Sequence, residues 1–187
     1  MKNIAILSSH NGSGLDAVIE GCNSGLLALN ICLVISNNTH AKVLEKAKKY
    51  GITSHLVNAK TDAEPDESIY KLLKKHQCDY IFLSGYMKKL SPMLTSSFTI
   101  INSHPSLLPK YGGAGMYGRF VHEAVIKNKE KVSGVTIHEV NENYDDGKII
   151  LQKSLEVSPE DTVDTLEEKI KKLEQKAIIE GLAVCLK

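Results

Sequence analysis

An asparagine and a histidine two residues apart have the clearest capacity for chemistry in this chain. Asn102 and His104 lie at the carboxyl end of a predicted strand, where alternate side chains point to the same side. An amide N–H and an imidazolium N–H aimed at one spot stabilise a developing negative oxygen, and histidine also transfers protons near neutral pH. Asp145, in an Asp-Asp-Gly turn, supplies a carboxylate that can orient or charge the imidazole. Together the three residues predict a centre that stabilises an oxyanion.

A structural role explains the same residues about as well at this stage. Asn102 and His104 can brace a loop by bonding to its main chain, and the first aspartate of such a turn commonly caps its own backbone. Pro105 and Pro109 stiffen the segment that follows, which favours a fixed pair of donors.

A loop of small residues near the amino terminus predicts an anion site. The segment 9–14 reads Ser-His-Asn-Gly-Ser-Gly and lies between a predicted strand and a predicted helix. Gly12 and Gly14 allow close approach of the main chain, Ser13 adds a hydroxyl, and a helix amino terminus favours negative charge. The segment lacks the Gly-Lys-Ser/Thr of a P-loop and the G-x-G-x-x-G spacing of a dinucleotide site. A tight turn that needs small residues is the alternative interpretation.

The elements that must position these residues alternate along the first hundred positions. Strands are predicted at 4–8, 29–36, 54–57, 79–84 and 98–102, with helices between them. After a long loop at 103–118 and a helix at 119–127, two strands at 132–140 and 148–157 share a short connection, and a final helix follows Thr162. This pattern predicts an α/β fold with a mostly parallel twisted sheet, helices on both faces and an antiparallel edge.

Composition limits the functions that the chain can have. It has 187 residues, enough for one domain, with 23 basic and 22 acidic side chains and a net charge of +1, so nucleic acid is not an expected partner. No apolar run reaches the length of a membrane span, and no membrane partner is expected. The four cysteines are widely spaced, which predicts no metal site and indicates buried thiols in a reducing, cytoplasmic setting.

Two motifs identify a family resemblance. The segment 102–109 (Asn-Ser-His-Pro-Ser-Leu-Leu-Pro), followed downstream by Asp-Asp-Gly at 145–147 and Ile-Ile-Leu-Gln at 149–152, resembles the formyltetrahydrofolate-dependent formyltransferases. The resemblance runs nearly end to end. It implies a Rossmann-like formyltransferase fold in a single domain, 1–187, with a nucleotide- and phosphate-binding half at 1–100 and a catalytic and folate-binding half at 101–187.

The resemblance also implies an activity. A formyl group would pass from 10-formyltetrahydrofolate, a co-substrate, to the amine of glycinamide ribonucleotide in purine synthesis, through a tetrahedral intermediate and without a metal. Asn102 and protonated His104 would stabilise the oxyanion, and Asp145 would support the imidazole and assist proton transfer. The residues implied to bind the acceptor are Gly12, Ser13, Gly14, Met87 and Glu174, and those implied to line the folate site are Lys88, Leu90, Val140 and Tyr144.

Several alternatives stay open. Leu90 and Val140 can equally belong to the core, and Glu174 can be a solvated helix residue. The family usually offers an asparagine donor where this chain has Gly14, so Gly14→Asn is expected to tighten acceptor binding. Another amine acceptor, such as a nucleotide-linked amino sugar, or a binding protein without catalysis would share many of these residues. Either a monomer or a homodimer is compatible with the sequence.

Overall fold

The structure is a computed structural model that describes residues 1–186. Its strands are β1 (Lys2–Leu7), β2 (Leu29–Ser36), β3 (Ser54–Leu56), β4 (Tyr80–Leu83), β5 (Thr99–His104), β6 (Val132–Glu139) and β7 (Ile149–Glu156). Its helices are α1 (Ser13–Asn23), α2 (Lys42–Lys49), α3 (Pro65–Lys75), α4 (Pro92–Ser97), α5 (Arg119–Lys127) and α6 (Val163–Cys185).

The strands form one seven-stranded sheet in the order β3-β2-β1-β4-β5-β6-β7. β1 pairs in parallel with both β2 and β4, and β2 pairs in parallel with β3. β6 and β7 pair antiparallel at the far edge. The expected α/β fold, with a mostly parallel sheet and an antiparallel edge, is therefore confirmed. β5 extends two residues beyond its predicted end, so Asn102 and His104 both belong to the strand itself.

The chain divides into two compact units, Met1–Ile101 and a second that begins at Asn102. In the first unit, the apolar run of β1 is buried from Ile4 to Leu7 without alternation, as expected for a strand covered on both faces. Helix α1 buries Leu15 and Val18 on its apolar side. Burial of such continuous apolar runs is the main stabilising contribution to this unit.

In the second unit, α6 packs its apolar stripe on the sheet. The predicted helix after Thr162 is observed as α6, and a capping box formed by Thr162 and Thr165 satisfies N–H groups at its start. Gly181 lies so close to Ile137 of β6 that an added Cβ would meet its side chain at 2.8 Å. A small residue at this position therefore lets the long helix approach the strand.

The loop that follows β5 is fixed by side chains of the antiparallel edge. The Thr136 hydroxyl accepts a hydrogen bond from the Leu108 N–H at 3.0 Å and donates one to the Ser106 carbonyl at 2.7 Å. The Gln152 amide donates to the Leu108 carbonyl and to the Thr136 hydroxyl, each at 2.9 Å. Because Ser106, Leu108 and Thr136 are buried and these polar groups satisfy one another, they hold the loop in one conformation. The loop in turn supports the end of β5.

Gly134 makes the packing of this loop on β6 possible, which yields a stability prediction. A Cβ at Gly134 would lie 2.1 Å from the Lys153 carbonyl oxygen and 2.6 Å from a methyl carbon of Leu107. Because a backbone atom cannot move away cheaply, Gly134→Ala is expected to lower the free energy of unfolding by about 3 kcal/mol. Chemical denaturation measures this change.

The matched control is the neighbouring residue on the same strand. The Ser133 hydroxyl is buried without a hydrogen-bond partner among the described residues, so Ser133→Ala is expected to leave the free energy of unfolding unchanged or slightly raised. Equal stabilities for Gly134→Ala and Ser133→Ala would contradict the proposed packing constraint.

Candidate active site

Four polar side chains meet in the second unit and are called here the imidazole cluster: Asn102, His104, His138 and Asp145. Asn102 and His104 come from β5, His138 from its neighbour β6, and Asp145 from the connection between β6 and β7. The Asp145 carboxylate lies 3.6 Å from His104 Nδ1 and 3.6 Å from His138 Nε2. The Asn102 amide nitrogen lies 3.1 Å from His138 Nε2. The three residues singled out in the sequence thus converge, and a fourth links them.

Both ring nitrogens of His104 face acceptors. Nε2 lies 2.7 Å from the main-chain carbonyl of Tyr111, and Nδ1 faces the Asp145 carboxylate. A neutral ring carries one N–H, whereas the imidazolium carries two and can serve both acceptors. The arrangement therefore suits a charged ring, but its N–H groups point to Tyr111 and Asp145. The expectation that His104 and Asn102 aim their N–H groups at one common spot is not what the structure shows.

The carbonyl that contacts His104 is itself held in place. Tyr111 has a left-handed backbone with φ of 54°, and its hydroxyl donates to Glu130 at 2.9 Å. The Asn128 amide donates to the same hydroxyl at 2.9 Å. Because the hydroxyl both donates and accepts a hydrogen bond, the Tyr111 side chain is held in place. This in turn limits the directions that the main-chain carbonyl of the same residue can take. The acceptor for His104 is thus built in before any ligand binds.

His138 is buried and positions the Asn102 amide. Burial lowers the pKa of His138, opposed by its hydrogen bond to the Glu139 carbonyl and by the Asp145 charge, while His104 lowers it further. In the neutral ring Nδ1–H donates to the Glu139 carbonyl at 2.9 Å, which leaves the Nε2 lone pair to accept from Asn102. This fixes which end of the amide faces His138, and the second amide N–H remains for another acceptor.

The sequence interpretation missed His138. The signal was present, because His138 lies in the predicted strand 132–140, beside the apolar Ile137 and Val140. A buried imidazole in a strand needs partners for both nitrogens, so it marks a place where polar groups from other segments must gather.

Asp145 makes its contacts with distant segments. One carboxylate oxygen accepts from the Gly113 N–H at 2.9 Å, and the two oxygens face the two imidazoles. Its backbone is left-handed, with φ of 53°, a conformation that aspartate tolerates better than most residues. These contacts favour a role in the imidazole cluster over the alternative of a turn residue that caps its own backbone.

Glu174 is tied to β5. Ser103 lies between Asn102 and His104 and points to the opposite side of the strand, where its hydroxyl donates to Glu174 Oε1 at 2.6 Å. Burial raises the pKa of Glu174, while the Ser103 hydrogen bond and the Lys171 charge lower it. Glu174 is therefore an anchored carboxyl group, which disfavours the alternative of a solvated helix residue.

The residues expected to line the folate site differ in exposure. In the second unit, Val140 is half-buried and the Tyr144 side chain is 54% exposed. In the first unit, Lys88 is exposed, whereas Leu90 is only 5% exposed and belongs to the core. The structure therefore favours the core-packing alternative for the side chain of Leu90.

The loop 9–14 is closely held within the first unit. Gly12 precedes α1 with φ of 65°, and Ser13 is exposed at the first turn of that helix. The Met87 N–H donates to the Ser9 hydroxyl at 2.8 Å, and that hydroxyl donates to the Asn37 side chain at 2.6 Å. The loop and the segment after β4 are thus joined by a buried serine, which places the main chain of Met87 beside the loop.

Gly14 has no room for a side chain. Its N–H donates to the Ser84 hydroxyl at 3.0 Å, and an added Cβ would lie 2.6 Å from that hydroxyl oxygen and 2.8 Å from the Phe82 ring. The expectation that Gly14→Asn tightens acceptor binding needs an open position, and that premise is wrong because Gly14 faces the interior of the unit. The Gly14 N–H is also already engaged, so an anion at this loop would have to use other donors.

Among residues 1–186, no group of three or more histidine, cysteine, aspartate or glutamate side chains is arranged to hold a metal ion. Within the same residues, no helix combines the length and apolar character that a membrane crossing requires.

Comparison with known proteins decides the family. Residues 2–182 match the family model described as formyl transferase. The chain belongs to the formyl transferase family. It is 38% identical to phosphoribosylglycinamide formyltransferase of Haemophilus influenzae over 93% of this chain and 82% of that protein. It is 34% identical to the protein of the same name from Bacillus subtilis, over 94% of this chain and 90% of that one.

Solved structures and longer relatives agree with this membership. The crystal structure of phosphoribosylglycinamide formyltransferase from Bacillus halodurans is 34% identical, covers 99% of this chain and 95% of its own, and superposes with a TM-score of 0.90. The chain spans 65% of the chloroplastic relative from Arabidopsis thaliana and 17% of the bovine trifunctional purine biosynthetic protein adenosine-3. In those two proteins, further sequence lies outside the matched region.

The crowding at Gly14 gives a testable prediction. Gly14→Asn is expected to lower the free energy of unfolding by about 2 kcal/mol, because the new side chain must displace Ser84 and Phe82. Ser13→Asn, at the adjacent exposed position, is the control and is expected to change stability by no more than about 0.5 kcal/mol. Thermal unfolding of the two variants gives the comparison. A Gly14→Asn variant as stable as the parent protein would contradict the packing described here.

Proposed function

We propose that this protein transfers the formyl group of 10-formyltetrahydrofolate to the primary amine of glycinamide ribonucleotide. Membership of the formyl transferase family and relatives that are named phosphoribosylglycinamide formyltransferase support this proposal. The observation that carries it is the imidazole cluster, because an amide donor and a carboxylate-paired imidazole are the groups that such a transfer needs.

In the proposed reaction, the amine nitrogen attacks the formyl carbon and a tetrahedral oxyanion forms. The free N–H of the Asn102 amide donates to that oxyanion, while the neutral His138 holds the amide in the required orientation. His104 contributes the charge of its imidazolium rather than a free N–H, since its ring nitrogens face Tyr111 and Asp145. The bond from carbon to the folate nitrogen then breaks, and the amine proton passes to that nitrogen with help from Asp145.

The remaining assignments are part of the same proposal. The phosphate of the acceptor binds at the loop 9–14, with the exposed Ser13 as a donor, and the main chain of Met87 flanks the amine. Glu174 accepts from sugar hydroxyls. Lys88, Val140 and Tyr144 contribute to the folate site, and Leu90 does so only through its main chain. Residues 1–100 form the nucleotide- and phosphate-binding half and residues 101–187 the catalytic and folate-binding half of one domain.

We further propose that the protein works in the cytoplasm as a monomer or homodimer on small-molecule substrates alone. Its free cysteines are compatible with a reducing compartment. None of the relatives reported above is named for an amino-sugar acceptor, so glycinamide ribonucleotide is preferred to that alternative.

A formyl-transfer assay tests the activity and the role of Asn102 together. The parent protein is expected to consume 10-formyltetrahydrofolate with glycinamide ribonucleotide and not with nucleotide-linked amino sugars offered in parallel. Asn102→Ala is expected to lower kcat by about 100-fold or more with unchanged thermal stability, because one oxyanion donor is lost. Asn30→Ala, at an exposed asparagine of β2, serves as the control and keeps full activity. Preference for an amino sugar would refute the acceptor, and near-normal turnover of Asn102→Ala would refute the donor role.

Ser103 and Glu174 give a second prediction about the acceptor. Because the Ser103 hydroxyl lowers the pKa of Glu174, its removal in Ser103→Ala raises that pKa further. The carboxyl group then ionises at higher pH, so the acidic limb of kcat/KM for the acceptor moves to higher pH. The KM for the acceptor is expected to rise about tenfold, the cost of a lost hydrogen bond to a charged group.

The conservative variant separates this role from a packing role. Ser103→Thr keeps the hydroxyl and is expected to restore both the KM and the pH profile. The KM for 10-formyltetrahydrofolate should stay constant in both variants. If Ser103→Ala and Ser103→Thr give the same pH profile, the hydroxyl does not control Glu174.

A further inference from the structure

Two thiols lie side by side in the first unit, among residues that the proposed function does not use. The sulfur of Cys32, on β2, lies 3.2 Å from the sulfur of Cys78, which precedes β4 by two residues. Cys78 is buried and Cys32 is half-buried, so the pair is packed but accessible from the Cys32 side. The described structure contains this contact as a hydrogen bond between thiols and not as a disulfide.

An irregularity in the sheet brings the two sulfurs together. The register of β1 and β2 shifts between Ile4 and Ala5, so that Cys32 is the additional residue of a β-bulge. Bulges re-aim side chains, and here the Cys32 sulfur lies 3.5 Å from the carbonyl of Ile4, over the neighbouring strand. On the other side of β1, the Asp79 N–H donates to the Asn3 carbonyl at 2.9 Å, which holds Cys78 beside the same strand.

The two thiols differ chemically. The hydrogen bond from Cys78 lowers the pKa of Cys32, while burial and the nearby Asp79 carboxylate oppose this effect. The same hydrogen bond, burial and the Asp79 charge raise the pKa of Cys78. Of the two sulfurs, Cys32 is therefore the one that loses its proton more readily. A half-exposed thiolate beside a second thiol is the arrangement of a reacting and a resolving cysteine.

We propose that Cys32 and Cys78 form a reversible intramolecular disulfide when the protein reacts with a hydroperoxide. The Cys32 thiolate attacks the terminal peroxide oxygen, so that an S–O bond forms, the O–O bond breaks, and water or an alcohol leaves. The Cys78 sulfur then attacks the Cys32 sulfenic acid, an S–S bond forms, and water leaves. The two thiols together lose two electrons and two protons, and the hydroperoxide is reduced.

Disulfide formation requires the two sulfurs to move closer together. A disulfide bond is about 2.05 Å long, so the sulfurs must approach by about 1.2 Å from their present separation. Cys78 lies in the short segment between α3 and β4, where a shift of the main chain disturbs few ladder bonds. Cys32 lies in the amino half of β2 and Cys78 precedes β4, whereas the loop 9–14 follows the carboxyl end of β1. The disulfide is therefore expected to leave formyl transfer intact, and this inference does not depend on the proposed function.

The test uses a variant that retains only this pair, Cys22→Ser/Cys185→Ser. After treatment with hydrogen peroxide in slight excess, the variant is expected to lose both alkylatable thiols. Its mass should fall by two hydrogen atoms, its mobility should remain that of one chain, and digestion should yield a peptide that joins residues 32 and 78. Dithiothreitol should restore both thiols. The matched control, Cys32→Ser/Cys78→Ser, retains Cys22 and Cys185 and is expected to keep both thiols under the same treatment.

Three results would overturn the proposal: sulfinic or sulfonic acid at Cys32 with Cys78 still a thiol, a disulfide between two chains, or no reaction of the pair.

A second measurement tests the hydrogen bond between the two thiols without forming a disulfide. Cys78→Ala removes the hydrogen bond to Cys32, whereas Cys78→Ser keeps a hydroxyl donor. Alkylation of Cys32 by iodoacetamide near neutral pH is expected to be about tenfold slower in Cys78→Ala than in Cys78→Ser, since a hydrogen bond to the thiolate is lost. Equal rates would refute the coupling of the two thiols.

Discussion

The Asp145 carboxylate lies between two buried imidazole rings, and the polar chemistry of the second unit depends on this placement. A largely buried carboxylate is costly unless its oxygens have partners, and here Oδ2 faces His104 and the Gly113 N–H while Oδ1 lies 3.6 Å from the His138 ring. Each imidazole places its remaining nitrogen on a main-chain carbonyl. The carboxylate therefore links Asn102, through His138, to His104. A shift of any one member leaves another buried group unpaired, so the cluster is fixed as a unit.

Rigid support for this cluster comes from packing that carries no charge. Thr136 and Gln152 form hydrogen bonds with main-chain groups of the loop after β5. The absence of a side chain at Gly134 lets Leu107 and the Lys153 carbonyl approach β6. These contacts involve no charged group and serve to limit movement of the β5 end. Such a limit matters because a donor displaced by a fraction of an ångström bonds more weakly to a transition state. The strand–loop junction is thus stabilised by uncharged contacts that lie next to the imidazole cluster.

The last residues of β5 serve two purposes because alternate side chains face opposite ways. Asn102 and His104 belong to the imidazole cluster, whereas Ser103 between them bonds to Glu174 of α6. The end of this strand therefore connects Asn102, the proposed oxyanion donor, with a carboxyl group whose pKa is raised by burial. Because Ser103 and Asn102 are adjacent but face opposite sides, a substitution at Ser103 is expected to change binding of the acceptor amine and to leave the Asn102 amide in place.

The sequence by itself predicted the α/β class, the mostly parallel sheet and its antiparallel edge, and it singled out Asn102, His104 and Asp145, because periodicity and motif spacing report local geometry. Only the tertiary structure placed His138 beside Asn102, directed the His104 nitrogens to Tyr111 and Asp145, and buried the Leu90 side chain. It also closed the space at Gly14 and brought Cys32 to Cys78. These features depend on which atoms of segments distant in the chain come into contact. That is fixed by packing and strand register, and neither can be read from neighbouring residues in the chain.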